Sequence, residues 1–227
     1  VYQTFAELIS SMPAGLIAFG VITSSSTHTV APGTRTGLYF VQGGGGAGGS
    51  SNGAANLVGS GGESGAGVFT AISVSGGATI VCTIGAGGAP AAAGATPNTR
   101  AGSGGATSLG AYATAAGGQG GFNSYGLGGP GTPTGRAGSS GGVIFPGNPG
   151  EARCGDSYDY RGGNGGASWF GGAGPGTDGQ APGAPGDLAG GDASGYGSGG
   201  GGGDSGSISP VQGGAGGQGC ILYFEFG

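Results

Sequence analysis

Glycine clusters set the terms on which this chain can fold. They recur from residues 43–46 to residues 199–203, and with many doublets between them they bring glycine to 68 of 227 residues, against a usual share of roughly 7%. An ordered glycine gives up more backbone freedom than alanine, at roughly 0.5–1 kcal/mol in a regular element. An ordered fold must therefore exploit what only glycine offers, the close approach of one backbone to another, as in extended helices with three residues per turn. The other outcome is flexible linker. Collagen is excluded, because the stretch 171–186 (GGAGPGTDGQAPGAPG) breaks a third-residue period several times.

Charge narrows the function classes. The chain has ten acidic residues, five arginines and no lysine, for a net charge of −5. A Walker-type phosphate loop needs its lysine, and nucleic acid or anionic lipid needs a basic surface. Gly-x-Gly-x-x-Gly matches are frequent, as this composition makes inevitable, and carry no nucleotide signal without a strand before and a helix after. No cofactor, no nucleic-acid partner and no membrane insertion are expected. Residues 1–11 (VYQTFAELISS) lack the positive start and apolar stretch of a signal peptide, and a chain opening at Val1 is expected to be the end of a longer one.

Apolar residues gather into islands. Tyr2, Phe5, Leu8, Ile9 and Met12 have the spacing of a short amphipathic helix ended by Pro13, and residues 16–22 (LIAFGVI) read as a strand. Residues 38–42 (LYFVQ) form a second strand that runs straight into 43–49 (GGGGAGG). Residues 68–74 and 79–84 flank Ser75-Gly76-Gly77-Ala78 and read as a hairpin. The last strand places Cys220, Leu222, Phe224 and Phe226 on one face and Ile221, Tyr223 and Glu225 on the other. Between 85 and 219 only residues 143–145 carry a strand signal, and inserts holding Tyr158, Tyr160, Trp169 and Phe170 argue against plain linker.

The expected fold class is mostly irregular and β, a small strand framework with a glycine-rich stack of polyproline-II-like (polyglycine-II) helices whose N–H and C=O groups pair between helices. Residues 1–22 are expected to form a fibre-connecting and oligomerisation segment and 23–227 a glycine-rich receptor-binding tip domain. Cys82, Cys154 and Cys220 are too few and too odd in number for a disulfide framework, and buried structural thiols are preferred to a redox or metal role. His28 is the only histidine and has no partner motif. Asp156, Asp159, Asp178, Asp187, Asp192 and Asp204 make no twelve-residue calcium loop and read as solvated loop acids, with no metal expected.

The order of these elements resembles the glycine-rich receptor-binding tips of tailed-bacteriophage tail fibres. The elements are a strand running into polyglycine (38–49), a strand followed by Gly-Ala-Gly-Gly (80–88), Gly-Gly-Ala-Thr-Ser-Leu-Gly (104–110), Ala-Ala-Gly-Gly (115–118) and a closing cluster with a terminal strand (213–226). Upstream, residues 12–20 (MPAGLIAFG) resemble a motif common before a distal fibre domain. The inserts at 122–137 and 143–170 match no named motif of that family. The resemblance implies a non-enzymatic adhesin at the distal end of a fibre, extracellular on the virion. Its partners would be a bacterial surface polysaccharide or outer-membrane protein and other tail-fibre or baseplate proteins, and fibres of this kind are commonly homotrimers.

The candidate receptor-binding residues lie in the inserts: Phe122, Asn123 and Tyr125; Tyr158, Asp159, Tyr160 and Arg161; Trp169 and Phe170. Aromatic faces stack on pyranose C–H surfaces, while amides, carboxylates and guanidinium groups bond hydroxyls. The competing reading has the same rings sealing the ends of the glycine stack. Two other functions remain open: an ice-binding protein presenting regular Ala and Thr rows, and a structural, silk-like glycine-rich protein. The expected missing disulfides and third-residue glycine period count against the first, and the unique inserts against the second.

Overall fold

The computed structural model describes residues 15–51, 57–96, 99–125, 138–152, 161–177, 187–205 and 210–227. The helix expected over Tyr2 to Met12 lies outside them. Among the described residues, regular structure is all strand. The first are β1 (Leu16–Ile22), β2 (Ser26–Thr29), β3 (Thr36–Gln42), β4 (Leu57–Gly59) and β5 (Gly67–Ser73). They are followed by β6 (Thr79–Thr83), β7 (Thr107–Leu109), β8 (Ala113–Ala115), β9 (Asn123–Tyr125) and β10 (Val143–Phe145). The chain closes with β11 (Phe170–Gly172), β12 (Asp187–Leu188), β13 (Ser194–Tyr196), β14 (Asp204–Ser205) and β15 (Cys220–Phe226).

The β-branched and aromatic islands make the longest strands, and these form an antiparallel sheet of order β1-β15-β3-β5-β10. Its central ladders run the length of β3, from Thr36↔Ser73 to Gln42↔Gly67 on one side and from Thr36↔Phe226 to Gln42↔Cys220 on the other. Strands β2-β6-β7-β8 make a second sheet. Tyr39, Val41, Val68 and Ile221 from the first meet Ile80, Cys82, Leu109 and Ala113 from the second in the buried core, with Val30 and Ala115 beside them. β1 belongs to the segment expected to connect the fibre, and it lies in the same sheet as the last strand of the chain.

The hairpin expected from residues 68–74 and 79–84 does not form. β5 pairs with β3 and β10, and β6 pairs with β2 and β7, so the two arms lie in different sheets. The turn explains why. Ala78 N–H donates to the Ser75 carbonyl at 3.0 Å, and of the two central glycines only Gly77 has a positive φ, +85°. That geometry is neither the I′ nor the II′ type whose twist keeps hairpin strands together, and the chain passes from one sheet to the other.

Glycine runs extend the strands beyond the sheets. β3 continues into residues 43–51, whose N–H donors cycle through three neighbours with a period of three. Gly43, Gly46 and Gly49 donate to Ala66, Glu63 and Ser60; Gly44 and Ala47 to Gly105 and Gly102; Gly45, Gly48 and Ser51 to Gly217, Gly214 and Val211, all at 2.8–3.0 Å. Its carbonyls face other runs: Gly44 and Ala47 accept from Gly118 and Gly121, Gly46 and Gly49 from Gly200 and Gly203, and Gly45 from Gly88. Partners fall by three in the donor series and rise by three in the acceptor series, so this run has antiparallel neighbours on its donor side and parallel ones on its acceptor side.

Residues 59–66 repeat the pattern. Gly59, Gly62 and Gly65 donate to Gly203, Gly200 and Gly197; Ser60, Glu63 and Ala66 to Phe122, Gln119 and Ala116; Gly61 and Ser64 to Glu151 and Asn148. A three-residue cycle of outward bonds is what an extended threefold chain with no internal bonds requires, because its buried polar groups must pair elsewhere. It also accounts for the missing side chains. A Cβ built on Gly45, Gly46 or Gly48 would come closer than 3.0 Å to the carbonyl of Ser198, Gln119 or Gly201.

Where the lattice ends, short polar side chains stand in for missing carbonyls. Asn123 Oδ1 accepts from Ser50 N–H at 2.6 Å, continuing the series that began at Gly105 and Gly102. Ser60, Ser64, Thr107 and Thr177 hydroxyls accept from the N–H groups of Phe122, Asn148, Gly85 and Gly162 at 2.8–3.0 Å. The span 85–219 holds more strand than the sequence signals, in pieces of two or three residues such as Phe170↔Tyr196 to Gly172↔Ser194. Antiparallel runs fall into ladder register for a moment as they leave the lattice.

Thermal unfolding tests the packed-glycine account. Gly45→Ala and Gly214→Ala, each of which would drive a Cβ into a backbone carbonyl, should each lose roughly 1–3 kcal/mol, the range for overpacking. Gly15→Ala meets nothing within 4 Å and should leave Tm where it was. Unchanged Tm in the first two variants would remove close backbone packing as the reason for the glycines.

Candidate functional site

An aromatic cluster forms where a lattice-borne turn folds over the first sheet. The Phe40 ring of β3 lies 5.9 Å from Phe145 of β10, 6.1 Å from Trp169 and 5.0 Å from Phe170, and Trp169 stands edge-on to Phe145 at 5.2 Å. Gly67, paired with Phe145, leaves the space the Phe40 ring uses, since a Cβ there would come within 3.0 Å of it. Ser168 holds the turn. Its N–H donates to Gly171 O at 3.1 Å, and its hydroxyl accepts from Phe170 N–H at 3.1 Å and donates to Tyr196 O. Trp169 is thereby carried at the tip and stays 67% exposed.

A groove beside this ring is lined by Phe145, Pro146, Asn148, Ser168 and Trp169. Asn148 is fastened by its amide, which donates to Ala167 O at 2.7 Å. None of the lining side chains titrates. The groove offers a ring face, a proline edge, a hydroxyl and one carboxamide, a chemistry suited to stacking and hydrogen bonding.

The inserts singled out in the sequence part company. Trp169 and Phe170 belong to the cluster. Asn123 is 3% exposed, its amide bonded to Thr99 Oγ1 at 3.0 Å and its carbonyl to Ser50, so it fastens the lattice. Phe122 is half-buried under the Arg100 guanidinium, 3.8 Å from the ring centre. Tyr125 lies in β9 opposite Leu57. Arg161 is exposed at the start of the run that includes Gly163 and Gly166. Tyr158, Asp159 and Tyr160, with Asp156, Cys154 and Asp178, lie outside the described residues. Phe40 and Phe145 were missed, and the signal was there: each is an outward position in a strand whose neighbours are apolar.

A second constellation was also missed. Glu225 is fully buried, and its Oε2 accepts from Ala31 N–H at 2.9 Å. Its Oε1 lies 2.7 Å from His28 Nε2 and accepts from the Tyr39 hydroxyl at 3.3 Å. The His28 ring lies 4.5 Å from that of Tyr223. His28 comes from β2 and Glu225 from β15, so the pair ties the two sheets together. Burial, and then the neighbouring Glu225 charge, push the Tyr39 phenol above its ordinary 10.0. No group of three or more His, Cys, Asp or Glu able to hold a metal occurs among the described residues.

The glycine-rich domain family model matches residues 21–223, and the chain belongs to that family. No curated protein matches the chain significantly.

The two described thiols are free and buried, Cys82 in β6 opposite Ser26 of β2 and Cys220 at the lattice end of β15. Burial pushes Cys220 up from its ordinary 9.0 to about 12 and raises Cys82 as well, opposed there by a hydrogen bond with the His28 backbone. The folded state therefore holds these protons, and that of Tyr39, more tightly than the unfolded state. Their contribution is complete below pH 9 and is lost as pH rises from 9 towards 12. Chemical denaturation should give constant stability on this account up to about pH 9 and a fall above it. In native chain at pH 8, Cys82 and Cys220 should resist a thiol reagent that labels them after unfolding; full native labelling would contradict their burial.

Proposed function

We propose that this chain is a non-enzymatic receptor-binding tip of a phage tail fibre, an adhesin that recognises a bacterial surface molecule through side chains carried on inserts between glycine runs. The observation that carries the reading is Trp169, two-thirds exposed on a turn that Ser168 pins to the lattice. Recognition groups concentrate on loops held by a rigid scaffold, and a lattice bonded through its backbones on several sides is such a scaffold. The ring and the groove beside it make the receptor surface, and Tyr158 and Tyr160, close to Trp169 in sequence, are further candidate receptor-binding rings. The sequence order shared with tail-fibre tips supports the same reading, and it adds a homotrimer and other fibre proteins as partners.

Ice binding has one observation in its favour. Ala86 and Ala89 are exposed three residues apart on one run, and Ser103 and Ala106 are exposed on the run it bonds to. Thermal hysteresis in a solution of the chain would support that reading instead.

Adsorption to a panel of bacterial strains tests the adhesin. Replacing Tyr158, Tyr160 and Trp169 together with alanine should weaken binding to the recognised strain by about 30-fold or more, the loss of an aromatic anchor of about 2 kcal/mol. Tm should move little, because the ring of Trp169 lies mostly in solvent. Unchanged adsorption with a marked drop in Tm would mean that these rings seal the fold and do not bind.

A further inference from the structure

The first sheet has one face in the core and the other in the open. Directly opposed residues share a face. Val21, Leu222, Phe40, Phe69 and Val143 thus make one cross-strand row, and Phe19, Phe224, Leu38 and Ala71 make the next. Every one is apolar. Phe19 is 68% exposed, Val143 60%, Val21 52% and Phe69 39%. Trp169 and Phe170 lie over the Phe40 and Phe145 end of this face, and among the described residues Phe19, Val21, Phe69 and Val143 stay exposed.

With roughly 200 Å² for an aromatic side chain and somewhat less for valine, those four residues alone expose on the order of 400 Å². Leu38, Ala71, Leu222 and Phe224 add to it. A monomer ordinarily exposes a contiguous apolar patch of a few hundred Å², and a stable interface takes about 800 Å² from each partner. The bare face supplies half or more of that share.

We propose that this face is an interface between copies of this chain, buried where the copies pack together about a common axis. Three observations select a second copy over a foreign partner. The rows carry no charge with which to choose a partner by complementarity, and interfaces of homo-oligomers are the more apolar class. Apolar sheet faces also pack on one another with interdigitating side chains. Finally, β1 is an edge strand among the described residues, paired only with β15, and an edge strand is a template for pairing with another chain. The interface leaves the groove at Asn148 and Pro146 at its rim, and it stands whether or not the adhesin reading does.

Light scattering on the purified chain at tens of micromolar tests it. The expected mass is a multiple of 20.6 kDa. Phe19→Glu combined with Val143→Glu should return 20.6 kDa with a cooperative melt, which shows that the separated chain is folded. Val21→Ser alone should weaken association at least tenfold, which keeps the test decisive if the double variant fails to fold. A wild-type mass of 20.6 kDa overturns the proposal, leaving residues 1–14 or a foreign partner to cover the face. So does an assembly indifferent to both sets of substitutions.

Discussion

Backbone-to-backbone hydrogen bonds between extended runs are the interaction on which this protein depends, and they dictate nearly everything else about its composition. A strand in a sheet bonds to two neighbours. Residues 43–51 bond to runs at 59–66, 101–105 and 211–217 through their donors and to runs at 85–89, 117–121 and 199–203 through their acceptors. Neighbours on so many sides leave no room for side chains, which is why a Cβ on Gly48 or Gly214 would meet a carbonyl. The entropy lost in ordering so much glycine is opposed by backbone hydrogen bonds between the runs, in an interior where unpaired groups would be costly.

The sheets start these runs and align them. β3 pairs with β5 and β15, and the run after β3 bonds to the runs that precede β5 and β15 in the chain. The ladder ends at Gln42↔Gly67, and the next bond, Gly43 N–H to Ala66 O at 2.9 Å, already belongs to the lattice. The second sheet does likewise: β6 leads into 85–89, β7 follows 101–105 and β8 leads into 116–121. One set of chain paths therefore has a side-chain core at one end and a backbone core at the other. A core too small to hold a chain of this length continues into a region that needs no apolar side chains.

How much of this was legible depends on the range of the interaction. The strands at 16–22, 38–42, 143–145 and 220–226 are visible as apolar islands, and the use of glycine for close backbone approach follows from its clusters. The hairpin between β5 and β6 was misread because the pattern of a turn does not reveal the sign of φ at its first glycine. The two faces of β15 were divided correctly, but both are apolar, so alternation alone could not say which one is core. Glu225 lies on the buried face because His28, 197 residues away in sequence, meets it there. Asn123 looked like a recognition residue for the same reason that it makes a good fastener: a carboxamide can replace a backbone carbonyl at the edge of a lattice as readily as it can bond a ligand.

The aromatic cluster sits at the border between the two kinds of core, and its position follows from that border. Phe40 is the last outward-facing ring of β3 before the run that begins at Gly43, where side chains give way to backbone. Beyond it the lattice can offer no apolar surface of its own, so rings that gather on Phe40 must be brought by an insert. The turn at 168–171 brings two, and they divide the work. Phe170 of β11, paired with Tyr196 of β13, packs edge-on to Phe40 and closes the border. Trp169, one residue earlier at the tip, touches the same rings and keeps most of its surface in solvent. A lattice built from glycine can thus present a large side chain for recognition only where it meets the sheet, or on an insert long enough to make contacts of its own.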